Sequence, residues 1–90
     1  MSKQELIATV VDRRKKKVAR IALNGYNVAS GGPLGRSGAL RSFRFLEGDL
    51  WDQWAAQQPI ELQAEDGRTI EARVAAFPAE KDAFGFIEFL

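Results

Sequence analysis

Residues 5–30, ELIATVVDRRKKKVARIALNGYNVAS, decide the fold of this 90-residue chain. They can be interpreted as one amphipathic helix or as short strands joined by turns. For the helix, Ser2 and Glu5 have the spacing of a capping box, and most of the apolar residues that follow fall within one half of a helical wheel. Against it, Arg14 lies in the middle of that apolar half.

The dipeptide Asn24-Gly25 favours the strands. A two-residue type I′ turn needs positive φ at both positions, and Asn-Gly supplies it at the lowest cost. We therefore predict strands at about 5–11, 17–23 and 26–30. The turn at Asn24-Gly25 would pair Leu23 with Tyr26 and Ile21 with Val28. Apolar residues also match between the strands at 5–11 and 17–23, where the same face would pair Leu6 with Leu23, Ala8 with Ile21 and Val10 with Ala19.

The C-terminal half of the sequence contains a second hairpin. Residues 60–77, IELQAEDGRTIEARVAAF, alternate apolar and polar side chains on both sides of Asp66-Gly67. A two-residue turn would mix apolar and charged side chains on one face, whereas a three-residue loop at 65–67 restores the alternation. We predict that loop, with Gly67 left-handed. It pairs Leu62 with Ile70 and Ile60 with Ala72.

Three further elements complete the predicted fold. Residues 41–45 and 84–89 alternate as short strands. Residues 49–58 form one short helix, with Asp49 as its N-cap and Pro59 just beyond its end. The buried face of this helix would consist of Leu50, Trp51, Trp54 and Ala55. Exposure of either tryptophan would instead mark a surface for a partner.

Together these elements predict one domain over residues 1–90. The fold class is mainly β (α+β): a small, strongly bent antiparallel sheet or a six- to seven-stranded barrel, with the short helix at about 49–58 plugging one end.

The composition excludes the commonest catalytic and metal chemistry. The chain has no Cys and no His, so ordinary hydrolase triads, thiolate sites and histidine-ligated metal sites are missing. We expect a protein that is not an enzyme and that binds neither a metal nor a cofactor. The apolar run at 6–11 is too short to cross a bilayer, so we also expect a cytoplasmic protein without a membrane partner.

The net charge of +1 conceals a strong asymmetry along the chain. Residues 1–45 carry ten Lys/Arg and two Asp/Glu, a net charge of +8, whereas residues 46–90 carry three Lys/Arg and ten Asp/Glu, a net charge of −7. Such asymmetry is typical of proteins with a polyanionic partner. The alternative is that the two halves fold against each other and neutralise one another.

The basic cluster lies in the predicted loop between the first two strands. Cations in a solvated loop are well placed to neutralise phosphates, and nearby aromatic rings could stack on bases. The candidate anion-binding residues are Arg13, Arg14, Lys15, Lys16, Lys17, Arg36 and Arg41, and the candidate stacking residues are Tyr26 and Phe43. The alternatives are a solvated loop that binds nothing and a Phe43 that belongs to the core.

The stretch NVASGG at 27–32 resembles the loop motif of PilZ domains, which are small six-stranded barrels that bind cyclic di-GMP. Asn27 and Gly32 match the motif, Ala29 stands where the motif has serine, and RRKKKVAR at 13–20 lies closer to the motif than the arginine pair of the family does. The ending of the chain is also similar to the closing strands of PilZ domains. This resemblance implies a degenerate regulatory barrel of the cyclic-dinucleotide type.

Three functions therefore remain open. The first is a binding module whose basic loops contact nucleic acid or a phosphorylated ligand. The second is a protein-interaction or self-assembly module, in which the basic N-terminal half of one copy pairs with the acidic C-terminal half of another, as in a homodimer. The third is the degenerate cyclic-dinucleotide barrel.

Overall fold

The first two strands form a hairpin in the predicted register. In the computed structural model, which describes residues 6–23, 37–65, 67–80 and 83–90, β1 spans Leu6–Val11 and β2 spans Lys17–Leu23. The three predicted pairs Leu6–Leu23, Ala8–Ile21 and Val10–Ala19 are all present. The single-helix interpretation of this stretch is therefore wrong.

The partner predicted for the second edge of β2, a strand at 26–30, is wrong. That edge is occupied by β3, Leu40–Gly48, which places Phe43 opposite Leu23 and Phe45 opposite Ile21. The predicted strand at 26–30, with Tyr26 and Val28, lies outside the described residues. The Asn24-Gly25 turn itself lies outside the described residues. β3 is also longer than the predicted strand at 41–45.

The helix is shorter than predicted. α1 spans Trp51–Ala56, with Leu50 as its N-cap and Gln57 in the left-handed conformation at its C-cap. Asp49 is not the N-cap residue, but its Oδ1 accepts a hydrogen bond from the Trp51 backbone N–H at 3.1 Å.

The predicted buried face of α1 is wrong in two of its four positions. Leu50 is fully buried and Trp54 is half-buried against the core, but Ala55 is exposed and Trp51 is 55% exposed. A helix of six residues makes less than two turns, so only a narrow strip of it faces the barrel.

The second hairpin follows the predicted loop. β4, Ile60–Ala64, and β5, Thr69–Ala76, pair with Leu62 opposite Ile70 and Ile60 opposite Ala72. Gly67 has a φ of +92°, as the three-residue loop requires. The last strand, β6, spans Gly85–Phe89 and pairs with both β3 and β5.

The six antiparallel strands close into a barrel in the order β1-β2-β3-β6-β5-β4. The barrel is filled by the inward side of every strand together with Leu50, and among the described residues no polar or charged side chain is buried. The largest fully buried side chains are Phe43, Phe89, Ile21, Leu23, Leu50, Leu62, Ile87, Val10 and Val74. Within the part of the chain that is described, no helix is long and apolar enough to cross a membrane.

The strand directions define two ends of the barrel. The turn between β1 and β2, the helix α1 and the β5–β6 connection all lie at one end, which we call the helix end. The β4–β5 loop, the start of β3 and the C-terminal residue Leu90 lie at the other. These two ends carry different chemistry.

Candidate anion-binding turn

The turn between β1 and β2, residues 12–17, is called here the basic turn, and Asp12 organises it. The Oδ1 atom of Asp12 accepts hydrogen bonds from the backbone N–H groups of Arg14 at 2.8 Å and Lys16 at 3.0 Å. The backbone closes the turn with two further bonds, Asp12 N to Lys16 O at 2.9 Å and Lys15 N to Asp12 O at 3.0 Å. An Asp side chain at the start of a turn commonly replaces backbone bonds in this way.

The hydrogen bonds to Asp12 also change its acidity. The backbone N–H of Lys16, followed by that of Arg14, stabilises the carboxylate and lowers the pKa of Asp12 below its ordinary value of 3.8. The turn is therefore held by an ionised carboxylate at neutral pH. Lys15 has a φ of +65°, which is uncommon for a residue with a side chain.

One of the five cations in the turn is attached to the barrel wall. Lys15 Nζ lies 2.7 Å from Glu61 Oε1 on β4. The hydrogen bond to Lys15, followed by one from Gln63, lowers the pKa of Glu61, and the hydrogen bond to Glu61 raises the pKa of Lys15. This exposed pair links the turn to β4 and leaves Lys15 less available to an anion than the other four cations.

The other four cations of the basic turn point to solvent. All are exposed, and among the described residues none of their side chains makes an ion pair within 4 Å. They are Arg13, Arg14, Lys16 and Lys17. Asp12, Arg13 and Arg14, together with Gln58 from the segment after α1, line a depression of about 470 Å³. The structure thus places at the helix end a hydrogen-bonded turn with four cations that make no ion pair with any described residue.

Arg41 is not near this turn. It lies at the start of β3, opposite Ile87, and its Nη1 donates a hydrogen bond to the Leu40 carbonyl oxygen at 3.1 Å. β3 reaches the helix end only at Gly48, seven residues further on, which is about 23 Å of extended chain. Arg41 and the basic turn therefore belong to opposite ends of the barrel.

The predicted stacking residue Phe43 does not join the basic turn. Phe43 is fully buried and packs edge-to-face on Phe45 with ring centroids 5.3 Å apart, so it is a core residue and cannot stack on a base. Tyr26 and Arg36 lie outside the described residues.

The two oppositely charged halves of the sequence neutralise one another in part. β2 pairs with β3 and β1 pairs with β4, so cations from the first half meet acids from the second. Arg20 lies 3.3 Å from Glu47 and 3.9 Å from Glu65, in addition to the Lys15–Glu61 pair. The two halves of the sequence therefore do not form two separate charged surfaces. The sequence alone had left this question open.

A second feature of the helix end was not predicted. A groove of about 600 Å³, called here the acidic groove, lies between the end of β3 and the β5–β6 connection. Its lining includes the apolar side chains of Phe45, Phe77 and Pro78 and the carboxylates of Glu47, Asp49 and Glu80. The sequence signal was the cluster of acids next to apolar residues after position 45, but only barrel closure brings positions 45–49 beside 77–80.

The described residues contain no group of three or more acidic side chains placed to hold a metal ion. In comparisons with known proteins, no protein family, no curated protein and no solved structure matches this chain. The six-stranded barrel agrees with the fold that the PilZ resemblance implies, but residues 27–32, which carry the motif, lie outside the described residues. The basic turn is therefore the candidate site with the best-defined geometry.

Proposed function

We propose that this protein is a non-enzymatic binding module whose basic turn binds the phosphates of nucleic acid. The observation that carries the proposal is the conformation and charge of the turn: hydrogen bonds to Asp12 hold its backbone, while four neighbouring cations are exposed without an ion pair on the described surface. A preformed cationic projection pays little ordering cost when it meets a polyanion.

The arrangement favours backbone recognition rather than base recognition. Lys and Arg contacts to phosphates carry affinity but no sequence information, and the described lining of the depression beside Arg13 contains no aromatic ring. We therefore expect weak sequence preference and strong salt dependence. With four phosphates neutralised, the log–log slope of affinity against salt would be about −2.8 to −3.6.

The test is a salt titration of binding to mixed-sequence oligonucleotides, followed by fluorescence anisotropy. The variant Arg13→Gln/Arg14→Gln should bind more weakly at low salt, and its slope should be less steep by about 1.4 to 1.8, since each phosphate contact contributes about 0.7 to 0.9.

The matched control is Arg68→Gln/Arg73→Gln. It removes the same charge, but both residues lie away from the turn, and Arg73 is paired with Glu88 at 2.8 Å. The control should bind almost as the parent protein does. Equal weakening of the two variants would show that net charge alone drives binding, and no binding by the parent at low salt would overturn the proposal.

A further inference from the structure

The helix end carries features typical of a protein interface. Beside the acidic groove, Trp51 is 55% exposed and Phe84, which follows the groove residue Ala83, is 49% exposed. Trp51 packs edge-to-face on Phe77 with ring centroids 5.2 Å apart, and Phe77 lies 5.7 Å from Phe45. Aromatic residues are enriched at protein interfaces, where a polar rim surrounds an apolar centre.

We propose that a second copy of this chain binds at the helix end, forming a two-fold symmetric dimer in which the basic turn of each copy enters the acidic groove of the other. This inference does not rest on nucleic-acid binding. It concerns the acidic groove and the exposed rings of the helix end, which the proposed function does not use.

Charge complementarity identifies the occupant. The described lining of the groove contains three carboxylates and no cation; Glu47 is paired with Arg20 at 3.3 Å outside that lining, whereas Asp49 and Glu80 make no ion pair with a described residue. The basic turn offers four exposed cations that have no ion pair on the described surface. Opposite charges at an interface guide association and fix the relative orientation of the partners.

The position of the two features makes the surface self-complementary. In the strand order, the basic turn lies between β1 and β2, whereas the groove lies where β3 meets the β5–β6 connection. Both are at the helix end but on different sides of it. A two-fold axis across that end therefore brings each turn over the groove of the partner and makes both contacts at once.

Apolar contact would supply the remaining affinity. Trp51 and Phe84 are large rings at the same end, and burying them between two copies removes apolar surface from water. Charge alone would give a dimer that salt dissociates completely, whereas the rings are expected to keep part of the association at high salt.

The test uses two charge-reversed variants and their mixture. The turn variant is Arg13→Glu/Arg14→Glu, and the groove variant is Glu47→Lys/Glu80→Lys. Sedimentation velocity at low salt should show a mass for the parent that rises with concentration towards two copies, and a monomer for each variant alone. Mixing the two variants should restore the dimer, because the two introduced glutamates of one turn then face the two introduced lysines of the other groove, while the reverse contact keeps its original charges.

The matched control is Glu65→Lys/Glu88→Lys, which reverses the same number of acids away from the groove. Glu47 is paired with Arg20, whereas the control acids Glu65 and Glu88 are paired with Arg20 and Arg73, so the control loses at least as many ion pairs as the groove variant. The control should still dimerise. Circular dichroism confirms that each variant is folded. A parent protein that stays monomeric at millimolar concentration and low salt, or a variant mixture that stays monomeric, would overturn the inference.

Discussion

At Gly48 the end of β3 has room only for glycine. Its φ is +77°, and a Cβ there would meet the Val18 carbonyl oxygen and lie 2.7 Å from Ala19 Cα, both of which are backbone atoms of β2. We expect Gly48→Ala to lower the free energy of unfolding by about 3 kcal/mol or more, because strain and steric conflict add. Gly67→Ala is the matched control. Its φ is also positive, at +92°, but apart from its chain neighbours no described atom lies within 4 Å of an added Cβ, so the free energy of unfolding should fall by only about 1 kcal/mol. Urea unfolding measures both, and equal costs would contradict the clash.

Asp12 provides a pH-dependent prediction at the same scale. Because the folded chain lowers the pKa of Asp12, the turn bonds are stabilising above the ordinary value of 3.8 and are lost as pH falls through the lowered pKa. In an NMR titration, the amide shifts of Arg14 and Lys16 should follow the Asp12 carboxyl with one midpoint below 3.8. In Asp12→Asn those amide shifts should not titrate with that midpoint. A midpoint at or above the ordinary value would mean that the Asp12 bonds do not hold the turn.

The conformation of a single residue can be predicted from the sequence only where its position requires one particular backbone conformation. The alternation of residues 60–77 indicated a left-handed Gly67, and the structure confirms it. The left-handed conformation of Lys15 has no comparable signal, since it follows from the Asp12 bonds around it. Likewise, the burial of Phe43 depends on which way β3 faces the barrel, which no neighbouring residue reveals.

At the scale of elements, the hairpins were predictable and their partners were not. Alternation fixes register within a hairpin, so the β1–β2 and β4–β5 pairs were confirmed. The second partner of β2 was wrong because the Asn24-Gly25 signal is local, whereas β3 begins seventeen residues after β2 ends. Pairing of β3 is decided by burial of Phe43 and Phe45 against the whole barrel, which exceeds any turn preference.

The attachment of the basic turn to β4 gives a prediction at this scale. Glu61→Gln keeps the shape of the side chain and its contact with Gln63, but it removes the charge that holds Lys15. If the turn binds nucleic acid, the variant should bind about two- to fivefold more tightly at low salt, because Lys15 becomes available and a nearby negative charge is lost. The salt slope should steepen by up to about 0.9.

The control Glu65→Gln removes an equal charge at the other end of the barrel, so its effect on affinity should be smaller. A loss of affinity in Glu61→Gln would show that the turn needs the Lys15–Glu61 pair to bind.

At the scale of the whole molecule, barrel closure determines what the charges can do. The sequence separates a half of +8 from a half of −7, but closure pairs β1 with β4 and β2 with β3 and so mixes them. Two features result from that mixing. Among the described residues, four exposed cations without an ion pair remain at the basic turn, and carboxylates from segments about thirty residues apart meet in the acidic groove. Neither feature could be predicted without the strand order.

The basic turn has two proposed partners, nucleic acid and a second copy of the chain, and these two partners compete for it. A turn that occupies the groove of a second copy cannot also contact phosphates, so an oligonucleotide should dissociate the dimer. Sedimentation velocity with a labelled short oligonucleotide, at a protein concentration where the parent is dimeric, should show the two-copy species replaced by one protein copy bound to oligonucleotide.

Added salt should restore the dimer only in part. Phosphate contacts weaken steeply with salt, whereas the apolar contact of Trp51 and Phe84 does not. The groove variant Glu47→Lys/Glu80→Lys, which is expected to be monomeric, should bind the oligonucleotide more tightly than the parent at that concentration, since no dimer has to be broken. A complex that keeps two copies and remains sensitive to the groove charges would show that nucleic acid binds away from the basic turn.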